Sequence, residues 1–193
     1  EILCSLAKDS EGLKCAVGYF YLQGLALIID ELQHMREIKI LMGSQTTKLT
    51  KVELLRTFKD SFDKIDDSKE NISSIVLFHK LVKESKTLQI LAYFGKGEEL
   101  ERLHSKAYLF LQNIDSTNIL KKYLAGVVGS SNLTPSGLIG NTELNVLLSA
   151  PKELQYLEKW FEELWALGSN DFDKLTISEI ISNSIEKSKF GKY

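Results

Sequence analysis

Short apolar runs rich in β-branched and aromatic residues alternate along this chain with segments whose apolar residues fall at helical spacing, and this alternation restricts the possible folds most. Leu13 to Phe20, Ile38 to Met42 and Leu88 to Phe94 read as buried strands, the second stopping at Gly43 and the third at Gly95-Lys96-Gly97. Between them, Leu22 to Met35, Val52 to Ile65 and Ile72 to Val82 carry apolar residues three and four apart, as one face of a helix does. Leu103 to Leu111 and Lys122 to Val128 read as further strands around a loop of turn formers, Gln112 to Asn118. Leu144 to Leu148 is the last strand. Pro151 then opens a helix to about Leu167 with Gly168 as its stop, and Thr176 with Glu179 has capping-box spacing for a final helix to about Lys187. The pattern predicts an α/β fold: a three-layer α/β/α sandwich around a central mixed, mostly parallel sheet.

The 193 residues suit one domain with a full core, spanning residues 1–193, and no repeat or linker divides them. Apolar stretches such as Leu25 to Ile29 are far too short to cross a bilayer, so no membrane partner is expected. Glu1-Ile2-Leu3 is not the start of a signal peptide, and the missing initiator Met suggests a piece of a longer chain. Cys4 and Cys15 make neither a disulfide framework nor a zinc site; read as free thiols, they point to a reducing, cytoplasmic setting. A net charge of −2 argues against nucleic-acid binding through overall charge, so any polyanion site must be local.

Candidate chemistry concentrates between Leu103 and Asn145. On a strand, His104, Lys106 and Tyr108 would share one face and Leu103, Ser105 and Ala107 the other, setting an imidazole beside an ammonium. Taken alone the pattern is weak, and an exposed edge strand with incidental polar residues is the favoured reading of it. Gly129-Ser130-Ser131-Asn132 follows the apolar run Leu124 to Val128, and such a strand-to-loop transition offers backbone N–H, hydroxyl and amide donors to a phosphate. A plain turn would use the same residue types. Glu143 and Asn145, two apart at a strand start, share a face; Glu143 could orient a histidine or be a solvated strand end. Lys48, Lys51, Lys96 and Arg102 lie near strand ends where a phosphate backbone could run, or are scattered surface charges. Tyr19, Tyr21 and Tyr93 could line a cleft or belong to the core.

Taken in order, His104-x-Lys106, Gly129-Ser130-x-Asn132 and Asn141-x-Glu143-Leu144-Asn145 resemble the His-Lys signature of the phospholipase D superfamily, in the form of its nuclease branch. That branch includes metal-independent restriction endonucleases and helicase-associated modules. The resemblance implies that His104 is a nucleophile forming a phosphohistidine. Lys106 and Asn132 would bind the non-bridging phosphate oxygens, Ser130 would support them and Glu143 would orient His104. Ser131, Asn141 and Asn145 would contact substrate. No metal and no other cofactor is implied. The Asp that often stands five residues after the family's Lys is Leu111 here, a departure from the pattern.

This chemistry needs a second histidine as acid and base, and the chain holds one motif copy. His34 and His79 sit inside helical patterns. A two-fold homodimer that brings two copies of His104 to one site is therefore expected, as is nucleic acid, DNA first, as the partner. The alternatives are a catalytically idle DNA-binding module of the same family and a phospholipid phosphodiesterase.

Overall fold

The computed structural model describes residues 2–43, 68–83, 87–93, 103–171, 185–187 and 192. Its six strands are β1 (Gly12–Val17), β2 (Glu37–Gly43), β3 (Leu88–Tyr93), β4 (Lys106–Leu111), β5 (Tyr123–Gly129) and β6 (Asn145–Leu148). They form one sheet in the order β3-β2-β1-β4-β5-β6. Its helices are α1 (Ile2–Lys8), α2 (Leu22–Ala26), α3 (Ile29–Leu32), α4 (Lys69–Lys83), the single turn α5 (Ile119–Lys122) and α6 (Pro151–Asp171), with a π-helical turn at Ser136–Gly140. None of the described helices is long and apolar enough to cross a membrane.

Both faces of the central strands are covered, which is why they read as continuous apolar runs. Leu13, Cys15 and Val17 of β1, Ile38, Ile40 and Met42 of β2, and Tyr108 and Phe110 of β4 face a core closed by α1, α2, α3 and α4. Burial pushes the Cys15 thiol up, so it is an inert core group. The opposite face holds Ala16, Leu41, Leu91 and Tyr93 against Phe161 and Trp165 of α6, and Leu109, Leu111 and Tyr123 against Leu154. Gly126 lets α6 press close, since a Cβ there would lie 2.9 Å from a Leu154 methyl.

One charge is built into that second interface. Lys14 of β1 is buried and donates to Glu158 at 2.5 Å and Glu162 at 2.7 Å, one turn apart on α6. Glu158 also accepts from Lys122 at 2.7 Å and from the Tyr123 hydroxyl at 2.6 Å. These donors hold one face of α6 to β1, to β5 and to the turn α5 that leads into it.

The expected mixed sandwich forms, but its strand pairing is not mostly parallel. β1 pairs parallel with β2, and β2 with β3, whereas β1–β4, β4–β5 and β5–β6 are antiparallel. The reason lies in the connections. Residues 112–122 and 130–144 each turn at one end of the sheet and return to the neighbouring position, without crossing over it. The single helix expected over Leu22 to Met35 is two, broken at Ile28, whose φ of −125° and ψ of −1° are not helical. Gly24 there is pressed on the Leu133 backbone, leaving no room for a Cβ, so tertiary contact overrides the helical pattern. The expected helix at Val52 to Ile65, the capping pair Thr176 and Glu179, and Lys48, Lys51, Lys96 and Arg102 lie outside the described residues.

Candidate active site

The motif residues gather at one end of the sheet, where β1, β2 and β5 finish and β4 and β6 begin. Gly18, directly after β1, is the meeting point. A Cβ on it would lie 3.1 Å from the Leu103 carbonyl oxygen, 3.5 Å from Asn132 Oδ1 and 3.7 Å from His104 Cα. The bare glycine therefore lets three separate segments converge: the end of β1, the lead into β4 and the loop after β5.

His104 does not lie on the strand. β4 begins at Lys106, opposite Val17, the last residue of β1, so no pairing partner exists for residue 104. His104 is exposed and Lys106 is buried at 7% exposure, which corrects the expectation of two side chains side by side on one strand face. The two are joined differently: Lys106 Nζ donates to the backbone carbonyl of His104 at 2.8 Å. Tyr108, next on that face, is buried and donates its hydroxyl to the Ser131 carbonyl at 3.0 Å. Burial, with the nearby Cys15 and Glu143 adding, pushes that phenol well above its usual range, so it stays a neutral donor.

The loop after β5 divides its polar groups between two tasks. Ser130 is tied to Leu144: its N–H donates to the Leu144 carbonyl at 3.1 Å, and its Oγ accepts from the Leu144 N–H at 3.0 Å. Buried Ser131 accepts at Oγ from Asn145 Nδ2 at 2.8 Å. Gly129 permits this closure, since a Cβ there would lie 2.2 Å from the Leu144 carbonyl oxygen. Asn132 faces the other way. Its Oδ1 accepts from the Tyr19 backbone N–H at 2.9 Å, and a backbone donor fixes which amide atom is the oxygen. The Asn132 amide nitrogen, a double donor, is thereby turned away from Tyr19.

Glu143 accepts from Asn141 Nδ2 at 3.3 Å, so its recorded partner in the single chain is Asn141 rather than His104. Leu111, where the family often has Asp, is buried against Tyr123 and Leu154 at the far end of β4, remote from this site. Among the described residues, no three His, Cys, Asp or Glu side chains group as metal ligands.

Two buried lysines now contrast. Lys14 sits between two carboxylates, whereas the recorded partner of Lys106 is a neutral carbonyl. Among the described residues Lys106 has no anionic partner, a costly state for a buried ammonium, and the carbonyl it holds belongs to exposed His104. The arrangement suits a small oxyanion.

A family model described as the cardiolipin synthase, PLD-like domain matches residues 6–165. The chain belongs to the phospholipase D-like family. No curated protein matches it. Among solved structures it is similar to a phospholipase D family member, Nuc from Salmonella typhimurium, at 12% identity over 86% of each chain with a TM-score of 0.51. It is also similar to NucT from Helicobacter pylori at 12% identity, 86% of each chain and a TM-score of 0.48. The first of these likenesses confirms the phospholipase D-like fold.

Within that fold, sequence reasoning missed the contributions of Gly18, the Tyr19 N–H and the Tyr108 hydroxyl. A glycine inside the apolar run Leu13 to Phe20 was the available signal for the first. The second is a backbone group and leaves no trace in residue type.

Proposed function

We propose that this phospholipase D-like chain is a phosphodiesterase acting on nucleic acid, DNA first, as a metal-independent endonuclease of the nuclease branch. The observation that carries the reading is buried Lys106, whose ammonium holds only the neutral backbone carbonyl of exposed His104 among the described residues, while Gly18 brings the His104 and Asn132 segments together. A phosphodiester supplies the missing negative charge. Lys106 and Asn132 then hold the non-bridging oxygens and stabilise the charge that grows on them in the transition state.

His104 attacks phosphorus, forming a P–N bond as the P–O bond to the leaving group breaks. The leaving oxygen takes a proton from the second histidine. That histidine next removes a proton from water, whose oxygen attacks phosphorus, breaks the P–N bond and frees His104. The second histidine is His104 of another copy in a homodimer. In this proposal Glu143 leaves Asn141 for His104 once the dimer forms. Ser130, Ser131 and Asn145 serve by holding the loop, with Asn141 at its rim. A restriction or helicase-linked parent chain would supply sequence selection.

One observation favours the idle DNA-binding alternative: in the single chain Glu143 bonds Asn141 and does not orient His104. The deciding experiment is hydrolysis of DNA, of a chromogenic phosphate diester and of phospholipid vesicles in excess EDTA, comparing the chain with His104→Ala. Chelator-resistant cleavage of DNA that vanishes in the variant supports the proposal. DNA binding without turnover selects the idle module, and preference for the vesicles selects a lipid enzyme.

A further inference from the structure

Three aromatic residues near strand ends are indistinguishable in sequence, and the structure separates them. Tyr93 is buried, whereas Tyr19 and Tyr21 are each 39% exposed. Between them Phe20 is buried in the main core and bridges to Leu133, and the Tyr21 N–H donates to the Leu133 carbonyl at 3.0 Å. Tyr21 itself is extended, with φ −127° and ψ 139°. The segment thus alternates ring out, ring in, ring out, with the two outward positions about 6.6 Å apart at a strand-like rise. The inward Phe20 fixes it.

This short ribbon belongs to the site. The N–H of Tyr19 is the group that orients Asn132, and a Cβ on its neighbour Gly18 would lie 3.7 Å from His104 Cα. A diester held by Asn132 would meet the segment that carries the exposed Tyr19 ring, because the Asn132 oxygen is bonded to the Tyr19 N–H. Exposed rings on a rigid backbone are the common stacking surface for unpaired bases, and they are sequence-tolerant because every base has a π-face. A paired base is already stacked, and must first be pulled out of its duplex.

We infer that Tyr19 is a base-stacking residue that selects single-stranded or locally unpaired nucleic acid, with Tyr21 continuing the surface. The inference rests on the nucleic-acid reading of the site. In the His104→Ala background, which removes cleavage, affinity is measured by fluorescence anisotropy. The probes are a labelled single-stranded deoxyoligonucleotide, the same strand with abasic positions, and a duplex.

The strand carrying bases should bind more tightly than the other two. Tyr19→Ala should weaken its binding about fivefold to about 150-fold, and the ratio of base-bearing to abasic affinity should fall toward one. Tyr19→Phe should keep the ratio. Both variants retain the backbone N–H to Asn132, so equal losses on base-bearing and abasic strands would overturn the inference. So would a Phe variant as weak as Ala, or a preference for duplex. Tyr19-dependent binding by a wild-type chain that cleaves nothing would uphold stacking and overturn hydrolysis. Cleavage with affinity indifferent to Tyr19 would do the reverse, and no binding to any probe would overturn both.

Discussion

Lys14 and Lys106 are both buried lysines on adjacent strands, and replacing each with Met should change stability in opposite directions. Met is close in length and volume, so packing changes little and the charge term dominates. At residue 14 the substitution takes from Glu158 and Glu162 the cation that lies 2.5 and 2.7 Å away, leaving Glu158 with Lys122 and Tyr123 and half-exposed Glu162 with Lys39. Breaking a buried pair from one side costs about 3–5 kcal/mol when the other charge is left alone, so the remaining partners set the cost of Lys14→Met below that range but still destabilising. At residue 106 nothing anionic is stranded among the recorded contacts, because Lys106 donates to a backbone carbonyl. The ammonium's burial costs several kcal/mol, of which a charged hydrogen bond returns about 1.5–3 kcal/mol. Lys106→Met should therefore stabilise the fold by about 1–2 kcal/mol, or raise Tm by about 2–8 °C for a chain of this size.

Urea unfolding followed by circular dichroism at pH 7 measures both variants. Inorganic phosphate adds a second axis. It should raise the wild-type midpoint, because an anion that binds only the folded state stabilises it, and leave Lys106→Met unmoved. Activity of Lys106→Met should fall by at least about a hundredfold, as loss of one transition-state donor does. A Lys106→Met chain destabilised by more than about 1 kcal/mol, or still responsive to phosphate, would refute the claim that this charge is held for an anion.

Three more outcomes follow from the geometry. Burial alone would raise the Glu158 carboxyl, but hydrogen bonds from Lys122, Lys14 and Tyr123 and the charge of Lys14 hold it down at about 2. The resulting stability is present above the ordinary value of 4.5 and is lost as pH falls through 2, so Glu158→Gln should cost about 3 kcal/mol at pH 7 and about half that at pH 3 in paired urea titrations. Gly18→Ala places a methyl 3.1 Å from the Leu103 oxygen and 3.5 Å from Asn132 Oδ1, so kcat should drop about tenfold or more with little change in Tm, in a comparison of diester hydrolysis with thermal unfolding. Titrating the wild-type chain with His104→Ala after exchange of subunits should reduce activity as the square of the wild-type fraction if one site needs two histidines; a linear fall would argue for independent sites.

How much of this was legible in the sequence depends on the range of the forces involved. The interiors of β1 to β5 were legible because strands covered on both faces must be apolar throughout. Their ends were not, because pairing decides them: β4 starts at Lys106 only because β1 stops at Val17. The same long range hid the role of Lys14, an isolated charge in an apolar run, whose carboxylate Glu158 stands 144 residues away. The parallel bias failed similarly, since nothing local in residues 130–144 says that they fold over one end of the sheet instead of crossing it.

At the candidate site the residue types were legible and their division of labour was not. Ser130, Ser131, Asn132 and Asn145 are equivalent as short polar donors near a glycine. In the fold, Ser130 closes on Leu144 and Ser131 on Asn145 within one loop, while Asn132 has its oxygen held by the Tyr19 N–H from a different segment. Two pairs therefore satisfy each other and make the loop rigid, and the Asn132 amide donors have no partner among the described residues. That asymmetry has a physical logic. A transition state is stabilised by donors already in place, and a donor stays in place only if neighbouring polar groups hold its loop and are themselves satisfied. Substituting Ser131 should consequently disturb stability and turnover together, whereas Asn132→Ala, which on the proposed reading removes donors to the diester, should reduce turnover with little effect on the urea midpoint.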